Sequence, residues 1–193
     1  MTRDFGLKYG RKSMRLPAYD YTSSGYYFVT ICTRDHQCLF GDVVDGKICS
    51  NYIGEMINWH WNRIPLHFSN VELDKFTVMP NHLHGIVILV GAKHFNKESI
   101  VASNNSKKNA SPLRPIGTTP KSLSSITQNF KTITSRKYNR MKNTKARKLW
   151  QRSFYDRIIR NEKELYNIRK YIINNPLKWA LDSENPQNLE SWK

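Results

Sequence analysis

One stretch limits the possible folds of this chain more than any other: Phe76-Thr77-Val78-Met79-Pro80-Asn81-His82-Leu83-His84-Gly85-Ile86-Val87-Ile88-Leu89. Apolar β-formers flank a His-x-His pair, and Pro80-Asn81 is a turn signal, so the stretch predicts a strand, a tight turn and a second strand. Side chains alternate faces along a strand, so His82 and His84 project one way and Leu83 the other. Two imidazoles side by side on a rigid strand make half of a metal site. For a bare His-x-His the simpler reading is a pair of hydrogen-bonded polar residues on a half-exposed strand, and the rest of the chain has to decide.

Around this hairpin the pattern is mixed. Tyr26 to Thr33 is dense in aromatic and β-branched residues and predicts a buried central strand. Asp45-Gly46 is the centre of a tight hairpin. Ile53, Met56, Ile57, Trp61 and Ile64 recur at helical spacing, with Pro65 closing that helix. Ser122, Ile126, Phe130 and Ile133 predict one face of a basic helix from near Pro120 to about Arg140, and Trp150 to Ile159 a strand or extended segment. Asn161 and Glu164 have the spacing of a capping box, followed by the stripe Leu165, Ile168 and Ile172, so a helix should run from about Glu162 to Asn174 and stop at Pro176. On it Tyr171 and Asn175 are four apart, hence neighbours on one face. Strands and helices interleave without a regular βαβ repeat, which predicts an α+β domain.

Charge narrows the partners. The 193 residues carry 31 Lys and Arg against 15 Asp and Glu, a formal +16. From Ser99 to Tyr155 there is no acid, while thirteen Lys and Arg lie there. Such a surplus favours a polyanion, because Lys and Arg on phosphates release counterions. Cys32, Cys38 and Cys49 form neither a disulfide framework nor a CxxC pair and read as reduced thiols. No apolar leader opens the sequence and no run approaches a membrane span, so a soluble cytoplasmic protein without membrane contact is expected. The expected organisation is a basic N-terminal arm over 1–24, one domain over 25–180 with a mobile insertion at 93–118, and a C-terminal tail over 181–193.

Metal-assisted attack on a phosphodiester needs a divalent cation, an in-line nucleophile and a positive surface to hold the strand. Met79-Pro80-Asn81-His82-Leu83-His84-Gly85, then Trp150-Gln151-Arg152-Ser153-Phe154-Tyr155-Asp156, then Tyr171-Ile172-Ile173-Asn174-Asn175-Pro176 supply candidates for each. In that order the three motifs resemble the single-tyrosine HUH transposases, and among them the REP-associated tyrosine transposases, over about Tyr19 to Trp179. The resemblance implies a ferredoxin-like HUH nuclease fold, an antiparallel sheet with packed helices and both histidines on a central strand. It implies a Mg²⁺ or Mn²⁺ site at His82 and His84, completed by Asn175, and a nucleophile at Tyr171. It implies cleavage and rejoining of single-stranded DNA beside a hairpin through a 5′-phosphotyrosine, by a monomer or a homodimer. Arg11, Lys12, Arg15, Lys131, Arg136, Lys137, Arg140 and Arg152 are the candidates for gripping the DNA.

Tyr155, Tyr166 and Tyr138 rival Tyr171 on composition alone, and Asn175, before a proline at a helix end, also reads as a cap or turn residue. Two other functions remain open: a non-catalytic protein that holds hairpin nucleic acid, and a metal-dependent phosphoesterase that uses water. A nucleotide hydrolase with a His nucleophile fits less well, because the alternating His run stops at Ile86.

Overall fold

The computed structural model describes residues 19–90 and 119–189. Arg11, Lys12 and Arg15, and the whole of the expected insertion at 93–118, lie outside the described residues.

Four strands make one antiparallel sheet in the order β4-β5-β1-β6, from Val71–Val78, His82–Leu89, Gly25–Cys32 and Tyr155–Ile159 respectively. The register runs from Gly25 opposite Leu89 to Cys32 opposite His82, so the histidine strand β5 is central, as its motif requires. A separate hairpin, β2 (Gly41–Val44) with β3 (Lys47–Ser50), turns at Asp45 and Gly46. Both turn residues have positive φ, 51° and 70°, the conformation that an Asp-Gly turn supplies.

Alternation on the strands divides the interior into two layers. Tyr27, Val29 and Ile31 of β1 and Leu83, Val87 and Leu89 of β5 face the larger core. Helices α1 (Tyr52–Asn62) and α3 (Leu123–Met141) cover that face with Ile53, Ile57, Trp61, Ile126 and Phe130. The other face carries Tyr26, Phe28, Ile86, Ile88 and Ile159 against Leu165, Ile168 and Ile172 of α4 (Glu162–Asn174). His82 and His84 share the face of Ile86 and therefore point toward α4. Gly85 lies between them and Ile86 on the opposite face. A Cβ there would come 2.5 Å from Cζ2 of Trp61, so the indole of α1 occupies the space that a side chain would need.

Helix ends follow local chemistry. Asn51 caps α1 by accepting from the N–H groups of Ile53 and Gly54. Asn161 caps α4 by accepting from the Glu164 N–H, while the Glu164 carboxylate takes the N–H of Arg160 instead of closing the reciprocal bond on Asn161. Arg169 pairs with Asp74 where β4 shifts register between Leu73 and Phe76, which ties α4 to the sheet.

Two expectations need correction. Pro65 does not close the first helix: α1 ends at Asn62, and Pro65 lies in the first turn of a second short helix, α2 (Ile64–His67). Proline has its φ preset for that position and lacks only an N–H that would be unsatisfied there anyway. By contrast α4 ends at Asn174, as the sequence predicts, and Pro176 opens a separate 3₁₀ helix that runs to Leu181. Lys131, expected to touch DNA, points inward, and its ammonium donates to the carbonyls of Gln151, Arg152 and Ser153. Three donors on three acceptors leave nothing for a phosphate, so Lys131 is a strut beneath the segment leading to β6.

Candidate metal and nucleophile site

The site forms where the start of β5 meets the end of α4 and the chain just beyond it. His82 and His84 are both buried, with ring centres 4.4 Å apart. Each is oriented by a neighbour on its Nδ1. His82 Nδ1 lies 2.8 Å from Oδ1 of Asn81. The Asn81 amide nitrogen donates to the carbonyls of His36 and Glu184 at 3.0 and 2.6 Å, which fixes its other end as the oxygen. His82 therefore carries its proton on Nδ1 and presents a bare lone pair at Nε2, the tautomer a metal ligand needs. His84 Nδ1 is 2.8 Å from the Thr30 hydroxyl on the neighbouring strand, and its Nε2 is 3.2 Å from the Tyr171 hydroxyl.

Three further buried groups arrive from the region expected to be a tail. Asp182, Glu184 and Asn185 are buried, because the chain beyond the 3₁₀ helix returns to Cys32, Asn81 and His82 at the ends of the two central strands. Single ligand atoms of His82, His84 and Asp182 all lie within 4.8 Å of one another. The Asp182 carboxylate is 3.9 Å from His82 Nε2 and accepts from the amide nitrogen of Asn175 at 2.8 Å. Neither Nε2 of His82 nor Oδ1 of Asn175 completes a hydrogen bond of full geometry, although both are buried. Buried polar atoms are nearly always satisfied, so an unsatisfied imidazole nitrogen 3.9 Å from a carboxylate, with an unsatisfied amide oxygen on the residue that binds that carboxylate, is what a cation site looks like. The donors fit a divalent metal: two imidazole nitrogens, a carboxylate oxygen, and an amide oxygen in reserve.

Electrostatics keep the site in ligand form. Burial pushes His82 down to about 4, against the opposing pull of Glu184. Burial and the neighbouring His82 push His84 down to about 3. Both rings are thus neutral at physiological pH. Burial, and after it the Asp182 and Glu184 carboxylates, raise Tyr171 above the usual phenol range. Glu184 also accepts from the Cys32 thiol at 3.2 Å and lies 3.1 Å from Nδ1 of His36. Tyr171 remains 45% exposed, with its hydroxyl turned inward and Phe28 edge-on to its ring.

The structure thus brings His82, His84, Tyr171 and Asn175 together as the motifs suggest. Arg136, Lys137 and Arg140 are exposed on α3, across the sheet from the histidines, and Arg152 is exposed on the segment that Lys131 supports. Asp182 was not foreseen. Its only sequence signal is weak: an acid shortly after the Tyr-x-x-x-Asn helix in a chain short of acids.

No protein-family model matches the chain. A protein of Haemophilus influenzae (strain ATCC 51907 / DSM 11121 / KW20 / Rd), called an uncharacterized protein, is 38% identical over 175 residues, 89% of this chain and 91% of the relative. The chain belongs to one family with it. Among solved structures, that of a REP-associated tyrosine transposase bound to a REP hairpin matches with a TM-score of 0.53 and 18% identity, over 86% of this chain and 74% of the other. The chain has the HUH transposase fold. Within this HUH fold the His-x-His pair lies on the central strand and the Tyr-bearing helix packs across it, and no described helix is long and apolar enough to cross a membrane.

Proposed function

We propose that the chain is a transposase or endonuclease that cleaves and rejoins single-stranded DNA next to a hairpin, through a 5′-phosphotyrosine at Tyr171. One observation carries the reading: the Tyr171 hydroxyl, 3.2 Å from His84 Nε2, borders a His-His-Asp cluster in which the buried Nε2 of His82 completes no hydrogen bond. The solved neighbour bound to a REP hairpin supports the choice of substrate, and the +16 charge supports a nucleic-acid partner.

His82 Nε2, His84 Nε2 and Asp182 would hold Mg²⁺ or Mn²⁺, with Asn175 Oδ1 as a fourth donor, and the imidazoles favour Mn²⁺ over Mg²⁺. When bound, such an ion would polarise the scissile phosphate and offset the negative charge of Asp182 and Glu184. The protein's own part is positional. Asn81 and Thr30 fix the ring orientations, and α4 carries the phenol to the edge of the cluster. Tyr171 Oη attacks the phosphorus, the bond from phosphorus to the 3′-oxygen breaks, and the phenolic proton ends on the departing 3′-hydroxyl. The reverse attack by a 3′-hydroxyl reseals the strand. The phosphodiester energy is kept in the tyrosyl link, so no nucleotide triphosphate is needed.

The test is incubation with single-stranded hairpin DNA from the flanks of the gene, with Mn²⁺ or with chelator, followed by denaturing electrophoresis. A metal-dependent protein–DNA adduct that is absent in Tyr171→Phe is expected. Cleavage without an adduct that survives Tyr171→Phe would replace this reading with a water-using phosphoesterase. Binding without cleavage across several flanking sequences would replace it with a hairpin-binding protein.

A further inference from the structure

On the helical side of the sheet, remote from His82 and Tyr171, α1 presents an unusual pair of indoles. Trp61 faces inward and is 1% exposed, whereas Trp59 faces outward and is 54% exposed. The Arg63 guanidinium lies 4.4 Å from the centre of the Trp59 ring, and the His60 ring stands edge-on to it at 4.7 Å. Beside them a shallow cleft between α1–α2 and α3 is lined by His60, Ile64, His67, Asn129, Phe130 and Ile133. From Ile133 the α3 positions four and seven residues on are Lys137 and Arg140, both exposed, so a basic ridge continues the rim of the cleft. The charges are close enough to be felt: after burial, the cations Lys137 and Arg63 lower His60. One acid, Glu55, is exposed a turn before Trp59 on the same helix.

We propose that Trp59, Arg63 and Lys137 form a second nucleic-acid contact, in which an unpaired base stacks at Trp59 and the flanking phosphates lie against Arg63 and Lys137. An exposed aromatic supplies the sequence-tolerant π-face and the surrounding cations supply the backbone contact, the combination found on surfaces that bind single strands. A duplex offers phosphates but no unstacked base, so the contact selects unpaired segments. In this reading the catalytic face handles the strand being cut, and the helical face holds a loop or single-stranded flank of the same molecule. The inference rests on the nucleic-acid reading given above but not on cleavage.

The test measures binding by fluorescence anisotropy with the full chain in chelator, which removes cleavage from the readout. The probes are a labelled 20-nucleotide oligo(dT) and a blunt duplex of equal length. Trp59→Ala is expected to weaken oligo(dT) binding by about 5- to 150-fold, the span of one base–aromatic stack, and to change duplex binding less than twofold. Trp59→Phe keeps most of the affinity. Lys137→Ala weakens both probes and lowers the salt slope by about one. Unchanged oligo(dT) binding in Trp59→Ala, or equal loss on both probes, overturns the proposal, as does displacement of oligo(dT) by polyglutamate at equal charge, which would mark an acidic protein partner. Should Trp59→Ala fail to fold, photocrosslinking of a 5-iodouracil oligonucleotide to the wild-type chain decides. A crosslink in the α1 peptide supports the contact, and crosslinks confined to β5 and α4 overturn it. A chain that forms no tyrosyl adduct but passes these tests loses the transposase reading and keeps this one.

Discussion

Asn81 offers the sharpest test of how the histidine pair is prepared. Its side chain makes three hydrogen bonds, two of them fully buried, accepting from His82 Nδ1–H and donating to the carbonyls of His36 and Glu184. In Asn81→Ala all three vanish. A typical net worth of about 1 kcal/mol per bond, and more for the stranded His82 N–H, gives a loss of about 2–5 kcal/mol. That is within reach of what a domain of this size tolerates at about 5–15 kcal/mol of total stability. The freed His82 ring also loses its tautomer, and removal of such a supporting partner typically costs about 10- to 100-fold in metal affinity. Asn81→Asp separates the two effects. A carboxylate still accepts from His82 Nδ1–H, but cannot donate to the two carbonyls. Thermal melts of the metal-free chain should therefore fall in both variants, whereas calorimetric titration with Mn²⁺ should show the affinity loss in Asn81→Ala and its retention or gain in Asn81→Asp. Equal loss of Mn²⁺ affinity in the two variants would refute the tautomer argument, even if both are destabilised.

Other consequences can be checked as directly. Gly85→Ala places a methyl against Trp61 in a packed core and should lower stability by about 1–3 kcal/mol in a urea titration, and relief by Trp61→Phe in the double variant would confirm the clash as the cause. Lys131→Met removes the donor to three carbonyls while keeping much of the stem, so it should destabilise the fold and raise hydrogen exchange at 151–153 without altering the salt slope of DNA binding; a reduced slope would return Lys131 to the DNA-contacting set. For pH, the folded chain holds His82 and His84 down at about 4 and about 3, against about 6.5 in the unfolded chain. Below about pH 6.5 the unfolded state takes up two protons that the folded state refuses, so stability falls as pH falls toward 4, by about 1.4 kcal/mol per unit for each ring. Metal-free denaturation curves that stay flat from pH 6.5 to 4.5 would contradict that.

Local patterns announced much of this fold and less of its site. The β4–β5 hairpin followed from two apolar runs around Pro80-Asn81, and α4 from Asn161 and a stripe of Leu165, Ile168 and Ile172, because capping and periodicity are set by residues near in sequence. The pairing of His82 and His84 on one face needed only strand alternation. Asp182 was hidden because it reaches His82 across a hundred positions, by way of a 3₁₀ helix too short and aperiodic to leave a pattern. Lys131 misled for a related reason. Its place among polar positions of a basic helix suggests solvent, and only the path of residues 151–153 reveals what the ammonium holds. Asn175 has the spacing of a ligand, yet which of its two amide ends faces the cluster depends on where Asp182 lies.

Gly85 has a consequence for anyone who would move this motif. The strand pairs could in principle shift by one position, and a one-residue slip would turn both imidazoles away from α4 into the layer of α1 and α3. What forbids the slip is an absence: only glycine leaves room for the indole of Trp61, so the slipped strand would drive the His84 or Ile86 side chain into a ring that cannot retreat. The histidine pair is therefore indexed by a notch and a key on the far side of its own sheet. A graft of His-x-His onto another β-scaffold would inherit the ligands without their alignment unless the glycine and its tryptophan travelled with them.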